Sequence, residues 1–258
     1  MNSVPTAPST TPTDLLTRAV AGFLVLILVD AAQLLAFYPD RTDTLWAWTI
    51  QPPVSAMLLG SLYTAGAYFF ARVLFGAAWE RVAAGFPPIA LFVWMAAIAT
   101  ALHLDRFHED SLPFAAWAAL YVVTPIAVPL LYLRNRGPIG GPPLPRATRI
   151  ALAAVGAAIV AASLAVFVVP DLAIDAWPYE LTPLTARITA AVLAVYGGLW
   201  LSVAVHNSMR AARIPLEAHV IGLVVLLVAL ARGEEGLLLA GAAAVMAAIS
   251  ALLAWRAA

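Results

Sequence analysis

The sequence predicts an all-α integral membrane bundle of eight transmembrane helices, built as two tandem parallel four-helix repeats. Three observations predict it. Of 258 residues, 63% are hydrophobic and only 11% charged, against about 25% charged in soluble domains, and the mean hydropathy is +0.92. Eight stretches meet or approach the roughly 17–25 apolar residues that a membrane-crossing helix needs. Finally, the chain matches itself at a spacing of 131 without a gap. Thr17-Arg18 recurs as Thr148-Arg149, Pro39-Asp40 as Pro170-Asp171, Trp46 as Trp177, Pro52 as Pro183 and Gly66 as Gly197. These are helix punctuators and interface residues rather than apolar filler.

The first span is Leu15–Phe37. The stretch before it, Ser3–Asp14, is rich in Pro, Ser and Thr rather than basic, and no small-residue cleavage site follows the apolar run. This argues against a signal peptide and reads as a disordered tail over residues 1–14. Spans two to four are Val54–Leu74, Pro88–Leu104 and Phe114–Leu133, completing a first repeat over 15–136. Residues 137–147 carry Pro138, Gly140, Gly141, Pro142, Pro143 and Pro145, a density that prevents helix and favours an extended spacer. The second repeat, 148–258, holds Ile150–Val169, Leu184–Val205, Pro215–Ala231 and Leu237–Trp255. Its third span is the weakest, opening with Glu217 and His219. In each half the first helix ends at Pro-Asp, and a Trp-bearing loop leads to a Pro-initiated second helix. Proline at a helix start costs no hydrogen bond, Thr182 is placed to cap the helix at Pro183, and the indoles suit the headgroup level.

All 14 basic residues are arginine. With eight spans, one side collects Arg18, Arg72, Arg81, Arg134, Arg136, Arg146, Arg149, Arg210, Arg213 and Arg256, leaving four for the other. The positive-inside rule then puts both termini in the cytoplasm of a cell-membrane protein. Because each half has an even number of spans, the halves point the same way, related by an axis along the membrane normal. With no cysteine, disulfides and thiolate chemistry are excluded. A net charge of zero gives no argument for nucleic acid.

The stretch Trp177-Pro-Tyr-Glu-Leu-Thr-Pro-Leu-Thr-Ala-Arg187, with Leu102-His-Leu-Asp-Arg-Phe107, resembles an uncharacterised family of multi-pass membrane proteins from high-GC bacteria. Each four-helix half also loosely resembles DoxX-like small membrane proteins. Neither resemblance implies a catalytic residue, substrate or cofactor.

Polar residues that break the repeat are the candidates for function. Asp30 lies seven residues short of the end of the first span, about 10 Å deep at 1.5 Å per residue. Gln33 shares its face, while the equivalent positions are Ala161 and Leu164. An intramembrane ionisable group is a functional hypothesis by default, the alternative being an interhelical hydrogen bond. Arg187, where the first copy has Ala56, is placed either to snorkel outward or to pair with Asp30 or Glu180. His103, Asp105 and Arg106, followed by His108, Glu109 and Asp110, close the third span. Their ingredients suit a proton relay or a divalent metal site, although the spacing matches no metal signature; the alternative is a solvated interfacial loop. His206 and His219, near the ends of neighbouring spans, are a weak case for haem, and no cofactor is expected.

The leading expectation is a small-molecule or proton-linked permease with its site in the outer half of the bilayer, using Asp30, Gln33, His103, Asp105, Arg106 and Arg187. Alternatives are a scaffold that packs against a membrane-protein partner or a second copy through small residues, and an enzyme acting on lipid or quinone through His103, Asp105 and His108. The sharpest expectation is that Asp30 is buried and hydrogen-bonded, with Arg187 or His103 beside it.

Overall fold

The computed structural model describes residues 13–177, 180–231 and 237–256. Within them the long helices are α1 (Leu15–Phe37), α2 (Pro53–Leu74), α3 (Phe86–Leu102), α4 (Leu112–Arg134), α5 (Arg146–Val168), α6 (Pro183–His206), α7 (Met209–Leu230) and α8 (Leu237–Arg256). Seven spans are long and apolar enough to cross a membrane, the third counted from Trp79 because a one-turn helix, Trp79–Val82, leads into α3. Of α8, Ala240–Arg256 stands as a shorter apolar helix. The result is a multi-pass helical membrane bundle.

Local chemistry sets the helix starts. Asp14 caps α1 by accepting from the amides of Leu16 and Thr17, Ser111 caps α4 and Thr182 caps α6. Each cap satisfies an amide that has no partner within the helix. Ser208 likewise caps α7, so that helix begins at Met209 rather than Pro215, and the weak seventh stretch is a helix of 22 residues. Residues 1–12 of the expected tail lie outside the described residues. Thr13 and Asp14 belong to the bundle: Thr13 is 3% exposed and donates to the Val73 carbonyl. The expected spacer is no free tether either. Ser208 Oγ donates to the Gly140 carbonyl, the Met209 amide to Pro142, and the Leu144 amide to Asn207 Oδ1, which staples the Pro/Gly loop to the α6–α7 turn.

Hydrogen bonds define two faces. On one, Arg18 Nε donates to the Leu74 carbonyl at 3.0 Å and Arg149 Nε to the Ala204 carbonyl at 3.1 Å. The start of α1 thus lies by the end of α2, and the start of α5 by the end of α6, with a cation on the negative end of each helix dipole. Glu217 on this face accepts from Tyr68, Arg72 and Arg213, and the buried Glu80 pairs with Arg210 at 3.0 Å. The opposite face carries the loops with Trp48 and Phe107, joined by an isolated bridge. Trp48 is only 2% exposed and Trp46 half-buried, so these indoles turn into the protein. They pack edge-on against Trp117, closing the top of the core.

Helix α1 packs on α2, α5 on α6, α3 on α4 and α7 on α8, while α2 reaches across to α7 and α3 to α6. The centre is therefore α6 and α2, 78% and 67% buried over their apolar windows, whereas α5 is 22% buried and turns its apolar surface outward. Close approach of α5 to α6 needs Gly156 and Gly197: a Cβ on Gly156 would lie 2.6 Å from the Leu201 amide.

Candidate functional site

Asp30 departs from expectation. Its side chain is exposed and makes no hydrogen bond or ion pair among the described residues, and Gln33 is exposed on the same flank. The reason is rotational. Ala31, Ala32, Leu35 and Leu28 turn to α2, and positions 30 and 33 fall on the other side of α1. The carboxyl does not open onto featureless surface, however. It lines a cavity of about 240 Å³ between α1 and the start of α4, roofed by Leu45 and Trp46 and backed by Tyr63 and Trp117.

Arg187 pairs with neither Asp30 nor Glu180 among the described residues. Its Nε donates to the Phe167 carbonyl at the end of α5, and its Nη1 lies 2.6 Å from His103 Nε2. A guanidinium only donates, so Nε2 must carry the lone pair and His103 is a neutral imidazole with its proton on Nδ1. Burial, then the neighbouring guanidinium, holds the His103 pKa below its ordinary value of 6.5, against a smaller upward pull from Asp105. Helix α3 ends at Leu102 and a tight turn spans Leu104–Arg106, so His103 and Arg106 do not share a helix face. Arg106 pairs with Asp105 at 3.1 Å, both side chains 70% exposed, which contributes little. His108 turns inward, Nδ1 3.1 Å from the Trp46 carbonyl. The polar cluster after α3 is thus dispersed among three separate partners. No three of His, Asp and Glu gather to hold a metal ion among the described residues.

The bundle interior holds polar groups that sequence reasoning passed over. Tyr63 and Tyr121 hydroxyls meet at 2.8 Å, and Ser61 meets Tyr196 at 2.9 Å. His219, expected near a helix end, is 2% exposed in the body of α7 and stacks on Tyr196 at 5.0 Å. It is not paired with His206, which lies 3.2 Å from the Tyr132 hydroxyl. The Trp200 indole donates to Ser250 Oγ, which lies 3.1 Å from His219 Nδ1. Nε2 has no hydrogen-bond partner among the described residues. The available signal was modest: Tyr63 and Tyr196 break the repeat, since their equivalents are Ala194 and Ala65.

Two further cavities, each of about 60 Å³, lie deeper. The central one shares Leu28, Tyr63 and Leu120 with the Asp30 cavity. It shares Leu62, Gly66, Ile89 and Val195 with the third, which ends at His219, Gly85 and Pro88. The three adjoin in file, from the flank of α1 to the half of the bundle where α3 and α7 begin.

No family model matches the chain, and no curated protein or solved structure shows significant similarity to it. The functional reading therefore rests on this geometry.

Proposed function

We propose that this protein is a small-molecule or proton-linked permease whose outer mouth is the Asp30 cavity. The carrying observation is the file of three cavities with shared walls, punctuated by Asp30, the Tyr63–Tyr121 pair and His219 in otherwise apolar surroundings. Ionisable groups within membrane spans mark solute and proton pathways. His103 and Arg187 do not line that file; they tie the ends of α3 and α5 to the start of α6 at one outer corner.

Two tandem copies about an axis along the membrane normal supply the frame in this reading. Helix α5 begins and ends 131 residues after α1. Arg18 and Arg149 each reach a carbonyl in the last turn of the neighbouring helix, α2 and α6, and Gly66 faces Leu28 as Gly197 faces Ile159. The α2–α7 and α6–α3 contacts exchange under the same operation. Small residues that would have served a scaffold are engaged within the chain: Gly60, Gly156, Gly197 and Gly222 all abut other helices.

The test is solute-coupled flux. Proteoliposomes with entrapped pyranine, challenged with small amines, carboxylates and neutral solutes, should show a solute-dependent pH change above protein-free vesicles. Leu120→Trp, filling the wall shared by the outer and central cavities, should remove it. Folded protein that gives no such signal and takes up none of these solutes in radiolabelled form would overturn the permease reading.

A further inference from the structure

The Asp30 cavity has a chemistry of its own. Among the described residues Asp30 is its only carboxyl, and no basic residue stands among its lining side chains. The remaining polar wall is aromatic. Trp46 and Trp117 meet at 5.9 Å and 75°, forming two adjoining sides of a corner, and Tyr63 stands 6.1 Å from Trp46. The Tyr63 hydroxyl is already engaged by Tyr121, which leaves the ring as its contribution. All else is aliphatic, including Ile27, Leu34 and Leu120.

One negative charge beside aromatic rings attracts a cation, since the ring face carries the negative end of its quadrupole. A hard metal ion does not suit the site. Calcium takes about 6–8 oxygen ligands and magnesium keeps several waters, and a single carboxyl in an apolar pocket replaces neither shell. An organic cation brings its own apolar coat and needs no such shell. The volume, about 240 Å³, falls just below the roughly 300–1,000 Å³ of small-molecule sites, which points to a compact group. The site is also peculiar to the first half. Asp30 and Tyr63 have Ala161 and Ala194 as counterparts, whereas Trp46 is matched by Trp177. The fold therefore needs the indole but neither the carboxyl nor the phenol.

We propose that the cavity between α1 and α4 binds the ammonium group of an organic cation, with Asp30 as counter-charge and the rings of Trp46, Trp117 and Tyr63 as its cage. The group belongs either to a free solute or to an aminophospholipid headgroup entering from the flank. As a statement of what the permease handles, this rests on the reading above; as a binding site it is tested apart from it.

Benzyltrimethylammonium chloride titrated calorimetrically into the full-length protein in dodecyl maltoside should bind saturably. Asp30→Asn should weaken binding by about tenfold or more, about 1.4 kcal/mol, and should fold, because the Asp30 side chain makes no hydrogen bond among the described residues. Ala116→Trp, which fills the cavity from α4 and keeps the charge, should also abolish binding, whereas the loop variant Asp43→Asn should not alter it. Native mass spectrometry separates the two sources. Phosphatidylethanolamine retained by the wild type and lost in Asp30→Asn makes the lipid headgroup the occupant; its absence alongside benzyltrimethylammonium binding makes it a free cation. No saturable binding, equal affinity in Asp30→Asn, or equal affinity for benzoate would overturn the proposal. Intact binding with no flux in vesicles would sink the permease reading alone.

Discussion

At the residue scale, the Arg187–His103 pair holds together only while the imidazole is neutral. Protonation would place an N–H against an N–H and a second cation beside the guanidinium. Because the folded pKa lies below the ordinary 6.5, the unfolded chain takes up the proton first. The stabilising contribution is therefore complete above 6.5 and is lost as pH falls toward the folded value. The melting temperature in detergent should drop between about pH 7 and pH 5, the range in which histidine titrates. His103→Gln, which keeps an acceptor but cannot titrate, should show a shallower drop; equal slopes would refute the role. The sequence placed both residues at the same end of the bundle, and there they meet. It also set Asp30 seven residues before the end of α1, where it stands, but gave it the wrong neighbours. Position along a helix follows from counting residues, whereas neighbours depend on the rotation of α1, which packing of Ala31, Leu28 and Leu35 against α2 decides.

At the scale of elements, glycine sorts the helix pairs by sign of effect. A methyl group at Gly156 would meet the Leu201 amide and the Gly197 carbonyl at 2.6 and 2.7 Å, both backbone atoms that cannot yield without moving α5 off α6. Gly156→Ala should cost about 1–3 kcal/mol, the usual penalty of overpacking, read as a lower midpoint in heating followed by size-exclusion chromatography. Gly241→Ala in α8, with nothing within 4 Å among the described residues, should be neutral or stabilising by up to about 1 kcal/mol through helix propensity. Most helix bounds were legible to within a few residues because caps and prolines are local signals. The start of α7 was not, since Pro215 outweighed the quieter Ser208 cap. Pairings such as Tyr63 with Tyr121 were illegible because their partners lie 58 residues apart, with no local pattern to announce them.

At the scale of the whole molecule, hydrogen bonding separates an arginine-clamped face from a tryptophan-capped one, and the arginine count predicts that the former is cytoplasmic. The absence of native cysteine makes this direct to check. In intact cells Thr44→Cys, exposed on the tryptophan face, should react with an impermeant maleimide. Gly137→Cys, in the Pro/Gly loop, should react only after permeabilisation. The reverse pattern would invert the topology and place the Asp30 cavity in the inner leaflet. Composition and the length of the apolar stretches made the membrane bundle readable. The file of cavities was not, because an internal void is the residue of many packing compromises, none written at one position.

The crossed packing of α2 on α7 and of α3 on α6 has a consequence for dividing the chain. Cut within the Pro/Gly loop, each piece of four helices would bare the flanks that the other piece now covers. Neither piece would stand as a stable monomer, whereas the two made together would find each other and restore the bundle.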